Sequence, residues 1–197
     1  VKKDLPVKTF AEFQAYVKAN QKKVQYGMAG IGAASHLGGL LLNSMMQVEV
    51  LEIPYKGTAP ALNDLVSGQF DYMVDQAVNV LAQIQAGNIR ALGVSTLKPL
   101  PQLPGVPTLD SVGLKGYEVT IWNGLFAPRG TPKEVIAKVN QALVTTLGDD
   151  KIRARLTELA VDVPTAQEAT PQGLRDLLKA SIDKWVPAVK AAGVKPE

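Results

Sequence analysis

The stretch Ala29-Gly30-Ile31-Gly32-Ala33-Ala34-Ser35-His36 gathers small residues, a hydroxyl and an imidazole between an apolar run and a leucine-rich run. These types at this spacing suit the capture of an anion. Glycine admits positive φ and lets backbone come close to a ligand. A helix opening near Ser35 would offer unpaired amides and the positive end of its dipole to a carboxylate or a phosphate. Ser35 reads as the N-cap of that helix or as a hydroxyl donor to the ligand, and one residue can do both. His36, in the first helical turn, reads as a packed or capping side chain or as a ligand contact. Three further pairs stand where strands are expected to end: Tyr55-Lys56, Asp75-Gln76 and Ser95-Thr96. Tyr55 offers a phenol donor or packs; Lys56 adds positive charge or is solvated. Asp75 would repel a carboxylate unless it caps amides, accepts from a ligand hydroxyl or ammonium, or holds a water.

Gly30-x-Gly32-x-x-Ser35, with Glu52 further on, approaches the G-x-G-x-x-G fingerprint and its ribose acid. The third glycine is missing, Pro54 follows Glu52 closely, and no second mononucleotide-binding half follows. A dinucleotide-binding α/β enzyme is therefore the alternative reading rather than the main one. Ser35 and His36 are neighbours, and neighbours on a helix do not face each other, so they form no nucleophile–base pair. No G-x-S-x-G is present. No catalytic residue is assigned, and no cofactor is called for.

Composition narrows the classes further. The 197 residues include no cysteine and one histidine, which excludes disulfides, thiolate chemistry and a multi-histidine metal site within one chain. The net charge of +3 comes from 21 basic and 18 acidic residues; they are scattered, without the basic stripe that nucleic acid requires. The longest apolar run, Leu40-Leu41-Leu42, is far short of the roughly 18–20 residues of a membrane span. The opening Val-Lys-Lys-Asp-Leu-Pro carries no apolar signal core, as in a mature exported protein. A hydrophobic share of 46% fits a globular chain with a sizeable core.

The elements that must hold these residues alternate. Thr9-x-x-Glu12 reads as a capping box, opening a helix with Phe10, Phe13 and Val17 on one face. Strands are expected at 23–29, 48–55, 70–76 and 89–96, with helices at Ser35–Met46, from Pro60 to Gly68, and at 79–87. This order argues for a parallel sheet with right-handed crossovers. Pro99, Pro101, Pro104 and Pro107 then impose an extended connector, with a short helix at 108–113 and a strand at 117–128. Thr131-Pro132-x-Glu134 reads as a second capping box, Asp149 or Asp150 as the cap of a shorter helix, and Thr170-Pro171 as the opening of the last helix. That last helix carries Leu174, Leu177, Leu178, Ile182 and Trp185 on one face, and Pro187 should kink or stop it. Three amphipathic helices after residue 128 ask for more apolar surface than one strand provides.

Several phrases together resemble the Bug/TctC family of extracytoplasmic solute receptors: YGMAGIGAASHLGGLLL, IPYKGTAPALNDLVSGQFDYMVD, AGNIRALGVSTLK, LPGVPTLDSVGLKGYEV and WNGLFAPRGTP. The resemblance runs along the whole chain. It implies an α/β, periplasmic-binding-protein-like (type II) lobe with a parallel sheet and flanking helices. It divides the chain into a second lobe at 1–97, a Pro-rich connector at 98–116, and a crossing strand with C-terminal helices of an incomplete first lobe at 117–197. A domain-sized stretch of about a hundred residues ahead of Val1, and a removed leader before it, belong to the family pattern. The implied function is periplasmic capture of a dicarboxylate, tricarboxylate, acidic amino acid or aromatic acid for a tripartite tricarboxylate transporter, with a receptor for a two-component sensor as the variant. The implied ligand set is Ala29, Gly30, Ile31, Gly32, Ala33, Ala34, Ser35 and His36, with Tyr55, Asp75, Gln76 and Trp122. Met28, Ala33 and Ala34 stand where family members often carry hydroxyls, which shifts the burden to backbone amides. The implied partners are the ligand, the transporter subunits and, through the incomplete lobe, a second copy of the chain.

Overall fold

The computed structural model describes residues 1–191, which form two compact units, one of Val1–Ile121 and one beginning at Trp122. In the first unit, α1 (Phe10–Ala19) opens as its sequence requires: Thr9 Oγ1 accepts from the Glu12 amide, and Glu12 Oε2 accepts from the amide of Lys8, one residue before the cap. Phe10, Phe13 and Val17 are its buried face. Strand β1 (Gln25–Met28) pairs in parallel with β2 (Leu51–Pro54), Gln25 opposite Leu51 and Met28 opposite Pro54. Between them runs α2 (Ala34–Met46); α3 (Thr58–Val66) and α4 (Ala77–Gln85) follow β2.

The remaining expected strands survive only as single bridges. Tyr72 bridges Tyr26 in parallel on the other side of β1. The run does not continue as a strand because Asp71 Oδ2 takes the Gln25 amide at 2.8 Å in place of a main-chain acceptor, while Oδ1 of the same carboxylate is held by Lys2. The run at 89–96 spends its backbone elsewhere: Ile89 bridges Lys2 antiparallel and Val94 bridges Thr108. The Pro-rich stretch thus packs into the first unit rather than merely connecting; its prolines need no donor partner, while Leu103, Leu109 and Leu114 are buried. The expected strand at 117–128 meets Ser95 through the Val119 amide and carbonyl, and beyond that its backbone finds no strand among the described residues.

Three buried phenols fasten α2 to this frame. Tyr26 donates to the carbonyl of Ser35, Tyr117 to that of Gly38 at 3.1 Å, and Tyr72 to Asn43 Oδ1 at 2.6 Å. Tyr72 stacks edge-on with Phe13 and tilted on Tyr26, each at 5.0 Å between centroids. The close approach of Tyr26 depends on Gly39, where a Cβ would stand 2.1 Å from Tyr26 Cζ.

In the second unit, α5 (Lys133–Gly148), α6 (Asp150–Glu158) and α7 (Pro171–Ala191) are all helix. Asp149 caps α6 through Oδ1, and Thr170 Oγ1 accepts from Gly173 at the start of α7. Thr131 does not cap α5: its hydroxyl turns back to the Pro128 carbonyl, and Pro132 takes the cap position without a side-chain bond. Pro187 lies inside α7 and does not stop it. No residue of α5 or α6 is buried, and Val135, Val139, Leu177, Ile182 and Val186 are exposed.

The Gly39 contact gives a direct test. Gly39→Ala forces a methyl into a fully buried ring and is expected to cost roughly 1–3 kcal/mol, read as a lower thermal midpoint. Gly148→Ala, where a Cβ meets nothing within 4 Å, should leave the midpoint unchanged or raise it slightly.

Candidate functional site

Because β1 and β2 are parallel, the loops that follow them leave the same edge of the sheet. Two bonds of 2.9 Å tie these loops together, from the Tyr55 amide to the Met28 carbonyl and from the Gly57 amide to the Ala29 carbonyl. Asp75 follows Tyr72, which bridges the opposite side of β1 in the same sense. Each of the three loops then opens a helix: α2 at Ala34, α3 at Thr58 and α4 at Ala77.

The first loop turns through Gly30 at φ 137° and Gly32 at φ 77°, conformations that cost any residue with a Cβ. The Ala33 amide closes the turn onto the Gly30 carbonyl at 3.2 Å. The helix begins at Ala34 with Ala33 as its cap, so Ser35 is not the N-cap. Its side chain turns inward, and Oγ accepts the Ala29 amide at 2.9 Å. His36, only 4% exposed, accepts the Gly32 amide on Nδ1 at 3.0 Å. Nε2 of the same ring lies 3.6 Å from Glu52 Oε2 on β2. Glu52, the ribose acid of the dinucleotide alternative, therefore faces the imidazole.

These inward bonds sort the loop's amides. Ala29, Gly32 and Ala33 are spent within the protein, whereas those of Gly30, Ile31, Ala34, Ser35 and His36 reach no acceptor among the described residues. Five unspent donors gather over one loop and the first turn of a thirteen-residue helix, with the positive end of its dipole. Ile31, half exposed, sets an apolar side chain beside them. Such a surface can bind an anion without a single cationic side chain.

The neighbouring loops contribute differently. The Tyr55 hydroxyl donates to Asp64 Oδ2 at 2.8 Å, and its ring lies 5.7 Å from that of Phe70. Desolvation first, then Asp64, pushes this phenol from 10.0 up to about 12. Asp75 Oδ1 accepts from the Gln76 amide at 2.6 Å and from Asn79 Nδ2 at 2.7 Å; Oδ2 is buried, with no partner among the described residues. Gln76 sits at the cap position of α4. Lys56 is exposed, and the hydroxyls of Ser95 and Thr96 are taken by the carbonyls of Val119 and Lys98. Trp122 belongs to the second unit, where its indole donates to Ser181 Oγ at 2.8 Å. Among the described residues no group of His, Asp and Glu is arranged to hold a metal ion, and no helix is long and apolar enough to cross a membrane.

Sequence reasoning misses Glu52 and Tyr26 as supports of the loop, and the inward direction of Ser35 and His36. One signal is present in the chain: Gly32 and His36 are four apart across a helix start, the distance at which a first-turn side chain can reach back to a loop amide, as in a capping box.

A parallel strand pair whose ends carry helix-opening loops is the architecture of an α/β lobe of the periplasmic-binding-protein kind. Comparison with known proteins agrees. The family described as "Tripartite tricarboxylate transporter family receptor" matches residues 1–194. The solved structure of the periplasmic binding protein BugD superimposes with a TM-score of 0.94 at 43% identity, covering 100% of this chain and 65% of that one. R. palustris Rpa4515 with adipate gives 0.93 at 34%, covering 100% and 65%. MatC from Rhodopseudomonas palustris, with bound malate, gives 0.89 at 38%, covering 93% and 63%. The chain spans 56% and 49% of the lengths of the first two curated relatives it matches. It belongs to the TctC family of tripartite tricarboxylate transporter receptors.

The Tyr55–Asp64 bond is testable by titration. With its folded-state value raised, Tyr55 contributes stability that is present below pH 10 and lost as pH rises toward about 12. Phenolate absorbance should therefore show one half-buried tyrosine with a midpoint near 12, absent in Tyr55→Phe. Asp64→Asn should move that midpoint only part of the way back, because desolvation is the larger cause.

Proposed function

We propose that this chain is the amide-bearing lobe of a periplasmic receptor that captures a small dicarboxylate and delivers it to the membrane subunits of a tripartite tricarboxylate transporter. One observation carries the reading: the five unspent amides around Gly30 and Gly32 at the start of α2. They satisfy a carboxylate's oxygens by hydrogen bonding and need no counter-ion, which favours reversible capture over chemistry. Family membership supports the receptor role, and the adipate and malate held by two of the neighbours support the ligand class. Ile31 and the methyls of Ala33 and Ala34 suit a ligand with an apolar middle between its charged ends. In this reading Asp75 and Gln76 complete the rim, Asp75 as the acceptor for a water or a ligand hydroxyl. The exposed faces of α5 and α7 support pairing with a second copy of the chain, and monomer mass by light scattering would refute that pairing.

The ligand claim is tested by titration calorimetry with malate, adipate and citrate, and with the corresponding amides as uncharged controls. It is run on this chain and on the chain extended to family length. The acids should bind and the amides should not; heat from neither acid nor amide in the extended protein would refute it. Gly32→Val should weaken binding about tenfold or more, since φ 77° excludes a β-branched residue at ordinary cost. A Cβ at this position meets nothing within 4 Å, so the effect falls on the loop and its ligand rather than on the core.

A further inference from the structure

The imidazole of His36 is buried, and both of its nitrogens have work to do. Nδ1 stands 3.0 Å from the Gly32 amide nitrogen, which donates to it. That bond requires a lone pair on Nδ1, so the proton of the neutral ring must sit on Nε2. Nε2 faces the carboxylate of Glu52 at 3.6 Å, which favours the same tautomer. The two contacts, from a loop on one side and from β2 on the other, select one form of the ring. The phenols of Tyr26, Tyr72 and Tyr117 also hold α2 in place, and burial pushes all three up.

We infer that His36 is a positioning residue for the carboxylate loop, acting as a latch on Gly32 through Nδ1. This deepens the receptor reading above and rests on it for the ligand. By taking the Gly32 amide, His36 holds Gly32 at positive φ and directs Gly30 and Ile31, with the first turn of α2, toward the ligand instead. Its ring does so through the loop and contacts no ligand, while its backbone amide is one of the five donors.

Two measurements test this, and the first needs no ligand. In nitrogen-15-labelled protein near neutral pH, Nδ1 should be unprotonated and the Gly32 amide should carry the shift of a hydrogen-bonded donor. That shift should disappear in His36→Leu, which removes the acceptor. A proton on Nδ1 at neutral pH, or a Gly32 amide shift that His36→Leu leaves unchanged, overturns the latch. The second measurement is malate and adipate affinity near neutral pH for the wild type, His36→Asn and His36→Leu. Asn can place an amide oxygen where Nδ1 stands, and Leu leaves the Gly32 amide without that acceptor. His36→Asn should bind like the wild type, whereas His36→Leu should bind about tenfold more weakly. An Asn variant as weak as the Leu variant, with its circular dichroism intact, overturns the positioning role. If the Gly32 signal behaves as expected while no carboxylate binds even the wild type, the latch stands and the receptor reading falls.

Discussion

The placement of α2 rests on phenols buried beneath it. Tyr26, at no measurable exposure, donates to the carbonyl of Ser35, one residue into the helix. Tyr117 and Tyr72 take hold one and two turns further along. Each bond contributes about 0.5–1.5 kcal/mol net, but leaving its buried partner unpaired would cost about 1–3 kcal/mol. The arrangement is thus more a constraint than a source of stability: the helix can start in one place only. The glycines at 38 and 39 are the geometric condition for it, since side chains there would collide with Val74 and Tyr26. With the start fixed, Ser35 and His36 face inward, and their side chains decide which loop amides are spent and which stay available.

Local signals in the sequence suffice wherever the fold is local. The capping box at Thr9, the cap at Asp149 and the opening of α7 at Thr170 all rest on residues a few positions apart. The stretches at 70–76, 89–96 and 117–128 have strand composition, but strand pairing depends on a distant partner. Asp71 occupies the Gln25 amide, and Val94 finds Thr108, neither of which periodicity reveals. The Thr131 box fails for a related reason, because a competing turn acceptor at Pro128 takes its hydroxyl.

At the site, the loop is legible and its wiring is not. Gly30 and Gly32 mark positive φ by residue type alone. The roles of Ser35 and His36 hinge on whether the helix starts at Ala34 or one residue later, and one residue turns every side chain by about 100°. The cap falls to Ala33, and the side chains of Ser35 and His36 support the loop from within. Tyr55 shifts similarly: its phenol serves α3 through Asp64. What such a loop offers a ligand is mainly backbone, and backbone donors leave almost no trace in side-chain composition.

The central claim is that a carboxylate is held by amides the protein itself does not use. Amide chemical shifts recorded while malate is titrated into the nitrogen-15-labelled chain test it most directly. The largest changes are expected at Gly30, Ile31, Ala34, Ser35 and His36, whose amides have no acceptor among the described residues, with a smaller response at Ala29, which is tied to Ser35 Oγ. Large changes confined to α5, α6 or α7, with the loop after β1 silent, would contradict it.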